Sequence, residues 1–164
     1  MIYFDSAATT FQKPAAVREA VARAMGSMSS PGRGNYPAAQ LAAEAAFECR
    51  SELADLFHAE SPEQVVFTSN ATHGLNIAIK TLVKPGSHVV ISGYEHNAVT
   101  RPLRAIPNVR VTVAAGPLFR QRETLKAFER ALSSDVDAVI CNHVSNVFGF
   151  ILPIEGIASL CRRR

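Results

Sequence analysis

Residues Val65–Lys80 read VVFTSNATHGLNIAIK, and their period changes halfway. Val65, Val66 and Phe67 form a short apolar run rich in β-formers. From Leu75 the apolar residues fall at Leu75, Ile77, Ala78, Ile79 and Leu82, the pattern of a mostly buried helix. Between the two lies Ser69-Asn70-Ala71-Thr72-His73-Gly74, a set of mostly small, polar residues at a strand-to-helix junction. A helix start offers unpaired N–H groups and the positive end of the helix dipole, so this junction suits an anion such as phosphate, with the Thr72 hydroxyl as a further donor. The plain alternative is that Asn70 or Thr72 only caps the helix. On this stretch alone the capping reading is favoured, because such junctions are common.

Working outward, "KPG" at Lys84–Gly86 ends the helix, and HVVIS (His88–Ser92) reads as a strand. Asn97–Ile106 reads as a helix despite Pro102, VRVTVAA (Val109–Ala115) as a strand, and Glu123–Leu132 as a helix with Leu125, Phe128 and Leu132 inward. DAVICN (Asp137–Asn142) is a strand, and Ile154–Arg163 is a helix with Ile154, Ile157 and Cys161 on one side. Strands alternating with helices from Val65 onward predict a parallel sheet covered on both faces. Upstream, Ile2–Phe4 is a short strand candidate. A helix follows Pro14, with Val17, Val21, Ala24 and Met28 on one face. After the loop SSPGRGNYP a longer helix spans Ala38–Phe57, with Ala42, Ala46, Cys49, Leu53 and Leu56 as its stripe. The expected division is 1–60, an N-terminal arm of helices, and 61–164, a partial α/β cofactor-binding domain. The last helix runs to Arg164 without a Gly or Asn cap, which reads as an α/β domain cut partway through.

The 164 residues suffice for a real core, and with 48% apolar and 19% charged residues the chain has an ordinary globular balance. The net charge of +3 owes much to Arg162, Arg163 and Arg164, and no basic face is interleaved with aromatics, so nucleic acid is not an expected partner. Three widely spaced cysteines, Cys49, Cys141 and Cys161, suggest free thiols in a reducing compartment. No apolar run reaches membrane-spanning length and MIYFDSAATT lacks the basic start of a signal peptide, so a cytoplasmic location is expected.

Ligands of open α/β sheets sit beyond the C-terminal strand ends. Besides Ser69–Gly74, two segments fall there. One is SGYEHNAVTRPL (Ser92–Leu103), where Glu95-His96 is either a site pair or surface packing. The other is CNHVSNVFGF (Cys141–Phe150), where His143 and Asn146 are either site residues or a hydrogen-bonded turn. Cys141 with His143, His96 and His88 matches no zinc spacing, so no metal is expected.

Together these segments resemble the N-terminal part of the cysteine desulfurase branch of the class V aminotransferases, enzymes that depend on pyridoxal 5'-phosphate. The matching pieces are YFDSAATT, FTSNATHGLNIA, EHNAVTRPL and HVSNVFGFILPI, in family order across essentially the whole chain. The resemblance implies an incomplete large domain of the type I fold: a mostly parallel sheet flanked by helices, preceded by an N-terminal helical arm. It implies that Ala71 and Thr72 bind the cofactor phosphate. It makes His96 a catalytic residue that also stacks on the cofactor ring, and gives Asn146 the ring hydroxyl; Ala8 lines the substrate side. It further implies an L-cysteine substrate, L-alanine and a persulfide as products, and a homodimer for the intact enzyme. Asn35-Tyr36 departs from relatives that carry a histidine after the Arg-Gly.

The family's cofactor-binding lysine has no match. Lys13, Lys80, Lys84 and Lys126 are the only lysines, and none has the Ser-x-His-Lys setting, so this chain alone is expected to be inactive. The aspartate for the ring nitrogen, the persulfide cysteine and the substrate arginine are likewise unmatched, and the three cysteines read as structural. The rival readings are a selenocysteine lyase, another class V aminotransferase or epimerase, a non-catalytic remnant, or half of a split protein. The resemblance also predicts that the strand near Val65–Thr68, whose sheet neighbour in the family comes much later in the chain, forms no ladder with Asp137–Asn142. The other three strands lie together, and the protein in isolation associates.

Overall fold

The computed structural model describes residues 2–6 and 9–164. The chain divides into two units, 1–67 and 68–164.

In the first unit, α1 (Ala15–Ser27) and α2 (Pro37–Phe57) each begin at a proline. Pro14 caps α1 and Pro37 opens α2, where a missing N–H and a fixed φ cost nothing. The intervening loop is closed by the Ser29 N–H donating to the Ala38 carbonyl (3.1 Å) and by a 2.6 Å bond between the Ser29 and Tyr36 hydroxyls. A left-handed His58 (φ 53°) ends α2. The buried face of α2 differs from the expected stripe: Ala39, Ala42 and Ala54 are buried, whereas Cys49 and Leu56 are exposed. Alanines at 38, 39, 42, 43, 45 and 46 make several stripes equally apolar, and the one chosen places Arg50, half-buried, over the Phe67 ring at 5.6 Å. Ile2–Phe4 forms no strand, and neither does Val65–Thr68. Val65 leaves the 3-10 turn Pro62–Gln64 with extended backbone (φ −93°, ψ 115°), but no strand among the described residues pairs with it. An extended apolar run becomes a strand only when a neighbour takes its N–H and C=O groups.

In the second unit the elements run α3 (Ala71–Leu82), β1 (His88–Ser92), α4 (Asn97–Ala105), β2 (Arg110–Ala114), α5 (Gln121–Ala131), β3 (Ala138–Ile140) and α6 (Ile154–Arg162). The three strands form a parallel sheet in the order β2-β1-β3, so the three segments lie together as expected. β1, buried along its whole length, is the centre. Its pleat splits the core: Val89 and Ile91 pack with Ile79 of α3 and Val99 and Leu103 of α4, while Val90 packs with Ala127 and Phe128 of α5 and Ile157 of α6. Each large side chain so buried contributes about 1.5–3 kcal/mol. β2 and β3 are shorter than their apolar runs because pairing with β1 limits them, to five rungs and three.

The entry edge of the sheet is polar and fully paired. His88, 5% exposed, bonds Thr112 through Nε2 (2.8 Å), and its Nδ1 accepts from Arg110 (3.0 Å). An acceptor Nδ1 places the ring proton on Nε2, which donates to Thr112. His88 is therefore a satisfied structural histidine at the edge opposite the candidate site. A Gly86 turn with φ +86° precedes it, a conformation that disfavours side chains.

Candidate functional site at the C-terminal strand ends

Three segments carry the candidate residues: the start of α3 and the connections that follow β1 and β3. The first opens α3. Asn70 is its N-cap, with the side-chain oxygen accepting the His73 N–H at 2.9 Å. The plain reading of this junction therefore holds for Asn70. It does not exhaust the helix start, because among the described residues the N–H groups of Ala71 and Thr72 have no acceptor. Both residues are exposed, so two aligned donors at the positive end of a 12-residue helix face outward. Asn70→Ala is expected to lower the stability of the second unit by about 1 kcal/mol, read as a lower denaturant midpoint with an unchanged slope.

The second connection follows β1. His96 is the N-cap of α4, and its Nδ1 accepts the Ala98 N–H at 3.0 Å. That bond fixes the neutral tautomer with its proton on Nε2, at the exposed side of the ring. Thr72 and His96 line one groove of about 400 Å³ between α3 and α4. The groove continues along Asn76 and Lys80 on α3 and Arg101 on α4. With two cations and no acidic lining residue, it favours an anion.

The third connection follows β3. Residues 143–152 form a tight reversal: Val144 bridges Ile151 in antiparallel fashion, the Leu152 N–H donates to the His143 carbonyl (2.9 Å), and the Gly149 N–H donates to the Ser145 carbonyl (2.8 Å). Buried Ser145 anchors the turn, and Asn146 stands exposed at its start. Asn146 does not line the Thr72–His96 groove, and neither does His143. Ala71 adjoins Thr72 at the same helix start. Ala8 lies outside the described residues.

Several residues at this edge were not singled out from sequence. Tyr94 donates its hydroxyl to the Gly116 carbonyl (2.7 Å) and meets Phe148 and Phe150 edge-on at 6.0 and 5.3 Å. Gly116 admits no side chain, since a Cβ there would lie 2.6 Å from the Thr124 backbone. Lys80 and Arg101 were legible in principle: Thr72, Asn76 and Lys80 recur every four residues on one helix face. Cys141 is partly buried, and burial followed by the nearby Glu95 charge pushes its thiol up to about 12, so it is no nucleophile at neutral pH. Among the described residues no group of three or more His, Cys, Asp or Glu gathers as a metal site, and no helix is long and apolar enough to cross a membrane.

A model of the class V aminotransferase family matches residues 2–164. Cysteine desulfurase IscS of Serratia proteamaculans is 34% identical over 172 aligned positions, covering 99% of this chain and 42% of the relative. IscS of Shewanella woodyi is 35% identical with the same coverage. The chain thus spans about 42% of the length of the curated relatives it matches. Among solved structures, the complex of the cystine C–S lyase C-DES with its reaction product cysteine persulfide aligns with a TM-score of 0.86 at 22% identity, covering 99% of this chain and 43% of that one. A NifS-like protein from Rickettsia africae aligns with a TM-score of 0.79 at 22% identity, covering 99% and 45%. At such identity the likeness concerns fold. It bears out a partial large domain of the pyridoxal-phosphate-dependent type I fold, with its parallel sheet between helices.

Proposed function

The chain belongs to the class V aminotransferase family, and from that premise we propose that it carries the pyridoxal 5'-phosphate contacts of a cysteine desulfurase. The observation that carries this reading is the pairing of two unsatisfied N–H donors, at Ala71 and Thr72, with a cationic groove that Thr72 shares with His96. These residues fit the cofactor. A phosphate dianion suits the start of α3, held by the Ala71 and Thr72 N–H groups and the Thr72 hydroxyl. His96 would meet the cofactor ring with its Nε2 proton, and Asn146, from the turn outside the groove, would offer an amide to the ring hydroxyl. When bound, the cofactor supplies an electron sink for bond breaking at the amino acid's α-carbon. For a chain completed to the length of its relatives, the reaction we assign is transfer of the L-cysteine sulfur to a thiol, giving L-alanine and a persulfide. A cytoplasmic location, an inactive isolated chain and a homodimeric complete enzyme belong to the same proposal.

The lysines bear on the chemistry. Lys13, Lys84 and Lys126 are engaged locally, by Thr10 (2.5 Å), Thr81 (2.6 Å) and Glu123 (3.2 Å). Lys80 lines the groove but follows Thr72 by eight residues, about 12 Å along the helix axis. The purified chain is therefore expected to bind pyridoxal 5'-phosphate reversibly, to release no sulfide from L-cysteine, and to show no lysine fixed to the cofactor by borohydride. Peptide mapping after reduction checks this, and one specifically modified lysine overturns it. The cofactor reading itself fails if Thr72→Val and His96→Ala leave binding of pyridoxal 5'-phosphate, followed by absorbance and fluorescence, within twofold of the unmodified chain.

A further inference from the structure

The parallel ladder between β1 and β3 stops at the Ile91–Ile140 rung. Beyond it, among the described residues, no backbone bond holds the two strand ends together, although each goes on to carry a residue of the candidate site. One side chain fills this gap. Glu95 Oε1 accepts the Asn142 N–H at 2.6 Å and the Ser92 hydroxyl at 2.5 Å. Ser92 is buried, and its Oγ also accepts the Tyr94 N–H (3.1 Å), so the turn from β1 folds back on itself and aims the carboxylate at β3.

We propose that Glu95 is the positioning residue of this site: its carboxyl group ties the connection after β1 to the connection after β3, and so sets His96 and Asn146 relative to each other. His96 follows Glu95 directly, and Asn142 opens the segment that leads to Asn146. The inference rests on the cofactor reading for the roles of His96 and Asn146, but the tie itself does not. Burial pushes the Glu95 carboxyl above the usual carboxylate range, against the pull of its bonds from Ser92 and Asn142. Placing an ionisable group here has an electrostatic cost. A neutral acceptor of the same shape keeps both bonds and removes that cost, which distinguishes positioning from a need for charge. Glu95 does not line the Thr72–His96 groove and acts through its neighbours.

The test compares Glu95→Gln, Glu95→Ala and the unmodified chain in two measurements. The first, without cofactor, follows amide exchange at Asn142 and the ring signals of His96 by NMR. The second titrates pyridoxal 5'-phosphate. E95A is expected to speed exchange at Asn142, shift the His96 ring signals and weaken cofactor binding about tenfold, as for loss of a bond to a charged acceptor. E95Q is expected to restore all three to within about twofold, since its side-chain oxygen accepts from the same two donors. If E95A does not fold, Glu95→Asp, one methylene too short to reach Asn142, carries the same expectations. The proposal is overturned if E95A or E95D leaves Asn142 exchange and the His96 signals unchanged, or if E95Q is as damaging as E95A. If the unmodified chain binds no pyridoxal 5'-phosphate, the cofactor reading fails, and the first measurement alone decides the tie.

Discussion

Replacing Phe128 with Ala is expected to cost about 3–5 kcal/mol and to leave the second unit largely unfolded near room temperature. Phe128 is fully buried on α5, against Val90 of the central strand, Ala114 of β2 and Ile157 of α6. It is the largest side chain on that face; its buried neighbours are small or β-branched, with partly buried Leu125 and Leu160 packed against the same cluster. Alanines 114 and 127 cannot swing in to fill the space, and Val90 and Ile157 are held at χ1. The cavity therefore stays open, which puts the cost in the upper part of the range for such truncations. Small domains have only about 5–15 kcal/mol in hand, and a three-stranded sheet with short flanking helices belongs at the low end. Leu82→Ala is the control, because Leu82 is 72% exposed at the end of α3; its effect is expected within about 0.5 kcal/mol. Amide exchange at the β1 residues, measured against denaturant, reads both. An F128A chain within about 1 kcal/mol of the unmodified one would show that the α5–α6 layer is not integral to the fold.

The contrast between Phe128 and Val65–Phe67 explains how far the sequence could be read. Phe128 sits in a helix whose period names its inward face without reference to any other element, and Leu125, Phe128 and Leu132 all emerge at least partly buried. The same holds for β1, whose unbroken apolar run announces burial on both faces. Val65–Phe67 has equally good β-formers, yet pairing is a property of two segments, and the second cannot be inferred from the first. For α2 the reason differs: so many alanines make the apolar stripe degenerate, and packing chose the face with Arg50 rather than Cys49. The site divides along the same line. Thr72 and His96 were legible because each begins a helix immediately after an extended run, a local signal. The role of Glu95 was not, since its partner Asn142 lies 47 residues away and contributes only a backbone N–H. Tyr94 escaped for the same reason, bonding a carbonyl 22 residues on. Local chemistry names the residues that line the groove; the groups that hold them in place are chosen by topology.

A comparably large effect is expected in solution behaviour: the purified chain should self-associate at micromolar concentration rather than remain a monomer. Among the described residues β2 and β3 each pair only with β1, so each leaves one row of N–H and C=O groups without a strand partner. Natural edge strands are guarded by lysines, prolines or bulges. β3, Ala138-Val139-Ile140, carries none of these. On β2, Val113 is 55% exposed and shares a face with Ile91, its register partner. Val66 adds a further apolar side chain, 72% exposed in a segment that pairs with no strand among the described residues. A net charge of +3 spread over 164 residues gives little repulsion to oppose contact. Sedimentation and light scattering across a concentration series measure the effect, and infrared spectra of the associated material should show added strand pairing. Val113→Lys, which places a charge beside the open edge at a half-exposed position, is expected to raise the onset concentration about tenfold, the equivalent of roughly 1.4 kcal/mol. A single, stable monomer across the whole series, with V113K indistinguishable from it, would mean that these edges and side chains are shielded and that the exposed apolar strips do not drive association.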